Sequence, residues 1–155
     1  MVDTLDRLEN AKKSLKVADH MLTITHNVVN DPKLLILVLQ KIFNTLHNVV
    51  GAILYHDLYH RKIPPFSEDY QTMMGIFKVR CIRRYSLDTS YIQLVQDVFL
   101  IYRDHKKSAM EFRRHDKYVI CSDTYGLKVV TKENLKKYIE QTKNFIKDAE
   151  KMITK

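Results

Sequence analysis

Residues 31–61 read DPKLLILVLQKIFNTLHNVVGAILYHDLYHR, and the architecture of the chain turns on this run. Asp31 suits a helix cap and Pro32 the first helical position, so a helix restarts here after a stop at Asn30. LLILVL at 34–39 is apolar all round, the mark of an enclosed central helix. Ile42, Phe43, Leu46, Val49, Val50, Ile53 and Leu54 then continue a wide apolar face. Gly51, in mid-helix, costs about 1 kcal/mol relative to alanine, which suggests a tight crossing with a neighbouring helix. Ile63-Pro64-Pro65-Phe66 ends the run, because proline disfavours helical backbone in the residue before it. The most apolar part, residues 42–55, carries Asn44, His47 and Asn48 and is shorter than the roughly 20 apolar residues a bilayer requires. It reads as a core helix, and no membrane partner is expected.

On the N-terminal side, residues 4–29 form a first helix. Leu8, Leu15, Leu22 and Val29 recur every seven residues, interleaved with Ala11, Ala18 and Thr25. So short a heptad pattern reads as an intramolecular seam. On the C-terminal side, Ser67, Glu68 and Asp69 open a third helix with Tyr70, Met73, Met74, Phe77 and Cys81 inward. Asp88 or Ser86 caps a fourth, whose inner face is Tyr91, Leu94, Val95, Val98, Ile101 and Tyr102. Residues 118–121 and 127–130 are β-prone runs around a glycine-containing loop, the pattern of a small hairpin that must lean on the bundle. Thr131 caps a fifth helix with Leu135, Tyr138, Ile139, Thr142, Ile146, Ala149 and Ile153 on one face. The expected fold is mainly all-α: a single domain over 1–155, a five-helix up-down bundle with a small β-hairpin before the last helix.

The chain has 155 residues, with 26 Lys and Arg against 18 Asp and Glu, a formal charge of +8. Such a surface attracts nucleic acids, acidic proteins and anionic membranes alike. Three glycines cannot build a Walker loop or a GxGxxG turn, and nucleophile elbows and paired zinc-ligand motifs are missing. No enzyme class and no cofactor emerge. Cys81 and Cys121 belong to no CxxC pair and MVDTLDRLENAKKSL lacks an apolar signal core, so reduced thiols in a cytoplasmic protein are expected.

Two clusters carry the functional expectation. Arg80, Arg83 and Arg84 close the third helix, where they complement its dipole. Arg103, Lys106, Lys107, Arg113, Arg114, His115 and Lys117 follow the fourth, with Phe112 and Tyr118 available to stack on bases. If the third and fourth helices are antiparallel, the two clusters lie at opposite ends of the bundle. Arg103, Lys106, Lys107, Arg113, Arg114 and Lys117 are the candidate nucleic-acid-binding residues. His56 and His60, at i and i+4, have metal-ligand spacing like that of HExxH. Asp57 stands in place of the glutamate and no third ligand is identifiable, so they read as dipole-stabilised histidines and no metal is expected. His20, His26 and His47 read as hydrogen-bonded interior or boundary residues, with a polar network around Asn44, His47 and Asn48.

The opening Ala11-Lys12-Lys13-Ser14-Leu15-Lys16-Val17-Ala18-Asp19, followed by Leu22 and the long apolar second helix, resembles the HEPN superfamily over residues 5–60. DPKLLILVLQKIF and RKIPPF are also similar to uncharacterised archaeal proteins. The HEPN resemblance implies a four- or five-helix bundle that acts on or with RNA and is often dimeric. Catalytic members place a His after an Arg with four to six residues between them. Arg103-Asp104 matches the beginning of that pattern, but Ser108, Ala109 and Met110 stand where the histidine belongs. The expectation is therefore a non-catalytic bundle binding RNA or another polyanion. The alternatives are a protein-interaction or homodimerisation module, and a degenerate ribonuclease using Arg103 and His105.

Overall fold

A computed structural model of the chain describes residues 2–29, 31–108, 110–121 and 126–154. Residues 122–125, in the loop of the expected hairpin, lie outside the described residues. Helix α1 (residues 2–29) runs as Val2–His20, a π turn at Met21–Thr25 and His26–Val29. Leu8, Ala11, Leu15, Ala18 and Leu22 are buried, as the heptad requires. The π turn then shifts the phase, so His26 turns inward and Val29, the last heptad member, is exposed. His26 leaves Nε2 without a hydrogen-bond partner, so it is interior but not bonded there.

Helix α2 (Lys33–Tyr59) starts on Asp31, whose Oδ1 accepts from the Lys33 N–H at 3.0 Å. Taken whole, this helix is long and apolar enough to cross a membrane, a length that residues 42–55 alone do not reach. Here Leu35, Leu39, Ile42, Leu46 and Ile53 are enclosed by protein, packed chiefly against α1 and the helices Lys132–Ile153 and Ser90–Lys107. Gly51 is overlaid by the Arg7 side chain, whose Nη1 lies 2.7 Å from where a Cβ would stand. Arg7 in turn sits over the Tyr55 ring (4.8 Å) and pairs with Glu68. The glycine makes room for a side chain rather than for a crossing backbone.

Helix α3 comprises Tyr70–Ile76, a π turn at Phe77–Cys81 and Ile82–Arg84. Its cap is Asp69, the last of the three residues expected to open it, accepting from the Thr72 N–H at 3.0 Å. Helix α4 (Ser90–Lys107) has Asp88 at its start, accepting from the Ser90 N–H at 2.9 Å. Thr131 opens α5 (Lys132–Ile153), accepting from the Asn134 N–H at 3.2 Å. α1, α2, α4 and α5 alternate in direction: Arg7 meets Gly51, Gln40 meets His105, Tyr91 meets Asp148 and Lys132 meets Asn27. α3 runs alongside the C-terminal half of α2 in the same direction. Tyr70 stacks on Phe99 beside Phe43, and Cys81 reaches Asp57 further along. The 60–69 connection carries the chain back for this, with Phe66 and Glu68 held on Tyr55.

A three-stranded antiparallel sheet, ordered β1 (Met110–Arg114), β2 (Lys117–Cys121), β3 (Leu127–Val130), closes the end where α4 finishes and α5 begins. The expected hairpin is β2–β3, with Tyr118 opposite Val130 and Cys121 opposite Leu127. β1 was not anticipated. Its turn of 115–116 puts His115 at a left-handed φ of 58°.

α2 and α3 end in the same way. Arg61 (φ 57°) and Ser86 (φ 50°) adopt left-handed backbone, so Ser86 closes α3 rather than opening α4. Lys62 N–H then donates to Asp57 O (2.8 Å) and Leu87 N–H to Ile82 O (3.0 Å), the 6→1 bonds of a Schellman cap. Glycine is the usual occupant of that position. Arg61→Gly and Ser86→Gly should each raise unfolding free energy by about 0.5–1 kcal/mol, strain relief less the added freedom of the unfolded chain. Urea melts check this, and a destabilised Ser86→Gly protein would contradict it.

Candidate functional site

The sheet packs on the bundle through one face. Tyr118, Ile120 and Val130 are buried there, with Ile120 fully so. Tyr118 OH donates to Glu111 Oε2 at 2.7 Å, and Glu111 Oε1 lies 2.6 Å from His105 Nδ1. Burial, followed by that carboxylate, pushes the Tyr118 phenol up to about 12. Ser108 Oγ accepts from the Met110 N–H (3.2 Å) and lies 3.0 Å from Cys121 O, pinning the start of β1 to the end of β2.

Pairing register settles the opposite face. Met110 stands opposite Cys121, Phe112 opposite Val119 and Arg114 opposite Lys117, while Val119 and Cys121 face Val129 and Leu127 on the other side. With the two-residue period of strands, these eight side chains share the outer face. Met110, Phe112, Leu127 and Val129 are exposed there. Val119 is buried but stands apart from the main core. An open sheet face is ordinarily polar. This one is apolar, with two cations at the hairpin tip.

All six candidate cations are exposed, but the structure does not gather them into one patch. Arg114 and Lys117 are cross-strand neighbours at the tip. Arg113 has the opposite strand parity and pairs with Asp31 at 3.3 Å. Arg103, Lys106 and Lys107 sit on the last turns of α4; Arg103 lies 3.5 Å from Asp104, and Lys106 stands 5.2 Å above the Tyr102 ring. Four strand rises of about 3.3 Å separate the ends of β1, so roughly 13 Å divides the tip from the α4 end of the strand. Among the described residues Lys106, Lys107, Arg114 and Lys117 make no ion pair. Of the two aromatics expected to stack on bases, Phe112 is 42% exposed but Tyr118 only 9%, with its hydroxyl engaged. Only Phe112 is available.

The other end of the bundle holds what the sequence underestimates. Asp57, fully buried near the end of α2, accepts from Arg84 Nη1 (2.7 Å), Tyr85 OH and Cys81 Sγ (3.3 Å). Arg84 is therefore not a solvated dipole cation like Arg80 and Arg83, which are exposed and make no ion pair among the described residues. It anchors α3 to α2. The same contacts place the 80–84 cluster at the opposite end from the 103–107 cluster. His56 and His60 meet with ring centroids 4.5 Å apart and line a cavity beside this network. Among the described residues no three His, Cys, Asp or Glu side chains are grouped to hold a metal ion. His20 is exposed, while His47 is half-buried, flanks Phe43 (6.1 Å) and is pushed down by burial. No hydrogen bond joins His47 to Asn44 or Asn48 among the described residues.

The chain matches no family model, no curated protein and no solved structure.

Proposed function

We propose that this protein is a non-catalytic helical bundle that binds RNA, or a polyanion of similar phosphate spacing, at its sheet end. The observation that carries the reading is the register of Arg114 opposite Lys117 on the outer face that also exposes Phe112. Like charges directly opposite one another destabilise a strand pair. No helix terminus accounts for these two cations, unlike Lys106 and Lys107 at the end of α4. Phosphates bridging them relieve the repulsion, and an unstacked base has Phe112 to lie on.

Fluorescence anisotropy with single-stranded and duplex RNA at two salt concentrations tests this. Affinity for single strands should fall with salt, by about 0.7 log units per log unit of salt for each phosphate engaged. Absence of binding at low salt sinks the reading.

A second reading, a docking face for another protein or a second copy, is favoured by the aliphatic side chains Met110, Leu127 and Val129 exposed beside Phe112. Light scattering across concentrations separates it: a strict monomer removes the homodimer version. The degenerate ribonuclease has less support, since His105 has Glu111 on Nδ1 and Gln40 3.4 Å from Nε2, leaving neither nitrogen turned to a substrate.

A further inference from the structure

We infer that β1 pairs edge to edge with β1 of a second copy of this chain, antiparallel and about a two-fold axis at Phe112. Two three-stranded sheets then become one of six strands. The pairing uses the strand edge, leaves the outer face open and does not rest on the RNA reading.

The free edge follows from the register. A two-residue loop closes on a hydrogen-bonded pair, here Arg114 with Lys117. Such pairs recur at every second residue, Phe112 with Val119 and Met110 with Cys121, so Glu111 and Arg113 turn their N–H and C=O groups away from β2. Among the described residues those groups have no backbone partner. β1 is an outer strand of the sheet, and the helices pack chiefly on β2. Edge strands are commonly guarded by a bulge or a proline. β1 has neither.

Charge selects both the partner and the register. An inward-facing charge on an edge strand is another guard against pairing. β1 carries two, Glu111 opposite Ile120 and Arg113 opposite Tyr118, of opposite sign and on the inner face. Antiparallel pairing about Phe112 sets each Glu111 opposite Arg113 of the other copy. Opposite charges across a ladder stabilise it, and like charges weaken it. Centring the pair on Glu111 instead opposes Glu to Glu, and centring it on Arg113 opposes Arg to Arg. Glu-Phe-Arg is thus its own complement, and the occupant it fits is a second copy. β3, the other edge, lacks this property, because pairing about Lys128 opposes lysine to lysine.

Both charged groups keep capacity for the new contact. A carboxylate has about four acceptor sites, and Glu111 uses them only toward Tyr118 and His105. Arg113 spends one N–H on Asp31 out of roughly five. Phe112 meets Phe112 at a non-hydrogen-bonded pair, where side chains come closest and aromatic pairs add stability. So short a ladder is a small interface, which belongs to the transient class and forms at high concentration.

Sedimentation of the full chain without nucleic acid, from about 10 µM to about 1 mM, should show the mean mass rising toward that of two chains. Arg113→Pro should hold it at one chain throughout. That change removes an N–H facing the free edge and none facing β2, and the exposed Asp31 pair it gives up is worth little to the fold. A thermal midpoint within a few degrees of the parent shows the variant folded. In a Cys121→Ser background, Phe112→Cys should form a disulfide-linked dimer on mild oxidation, because Cα atoms of such a pair lie about 4.5 Å apart, within disulfide reach. Val129→Cys should not, since five strand spacings, about 24 Å, part the two β3 strands. A monomer at the top concentration overturns the inference, as does an Arg113→Pro protein that dimerises like the parent. Linking through Val129→Cys in place of Phe112→Cys overturns it too, because copies then meet by their outer faces and the docking-face reading stands instead.

Discussion

Arg84→Met lowers the unfolding free energy by about 3–5 kcal/mol, and Asp57→Ala by about 3 kcal/mol, the range for breaking a buried ion pair from one side. The order follows from burial. The Asp57 side chain is wholly enclosed, whereas that of Arg84 is 31% exposed. Without Asp57, the guanidinium can turn to water, and the loss is confined to the hydrogen bonds of Tyr85 and Cys81 and the packing around them. Without Arg84, a carboxylate stays inside the protein hydrogen-bonded by a phenol and a thiol, with the His56 Nδ1 3.5 Å away. Removing both charges at once, as Asp57→Leu with Arg84→Met, should cost less than the sum, because neither ion is then stranded. Urea unfolding of the four proteins gives the coupling directly. An Asp57→Ala protein within about 1 kcal/mol of the parent, the ordinary size of a surface substitution, would show that the network does not hold α3 against α2.

That network also marks where the sequence was legible and where it was not. The core stripe of α1 as far as Leu22, the extent of α2 and the caps at Asp31, Asp88 and Thr131 follow from spacing and side-chain chemistry, and the structure has them. Asp57 was legible in principle. It continues the buried run Leu46, Val50, Ile53 and Leu54 at helical spacing, so its carboxylate had to lie inside. The eye is drawn instead to the two histidines flanking it. β1 gives no such signal: Met110-Glu111-Phe112-Arg113-Arg114 is mostly exposed, its inner positions carry charge, and pairing with β2 makes it a strand. Propensity yields there to tertiary context. Scarce glycine hid the helix ends, because Arg61 and Ser86 take the left-handed turn that glycine normally announces. The candidate RNA surface was legible as charge but not as geometry, since a cluster contiguous in sequence divides between a helix end and a hairpin tip.

This division shapes the second large effect. Arg114→Glu with Lys117→Glu should weaken single-stranded RNA binding by about 10- to 100-fold near 50 mM salt, since two lost phosphate contacts remove roughly 1.4 from the salt slope. Arg113→Ala should matter less, because Asp31 already neutralises that guanidinium from 3.3 Å. Lys106→Glu with Lys107→Glu is the harder case. These lysines also complement the α4 dipole, so their reversal costs stability of up to about 1 kcal/mol each, and affinity is read only after a melt shows the protein folded. Phe112→Ala separates stacking from charge. It should reduce affinity for single strands by about 1–3 kcal/mol, leave the salt slope unchanged and spare duplex binding, because paired bases are not open to the ring. If the tip reversals leave affinity intact while the α4 lysines abolish it, RNA lies across the helix end and the outer sheet face is free for a protein. If neither changes binding, the basic surface is not a nucleic-acid site at all.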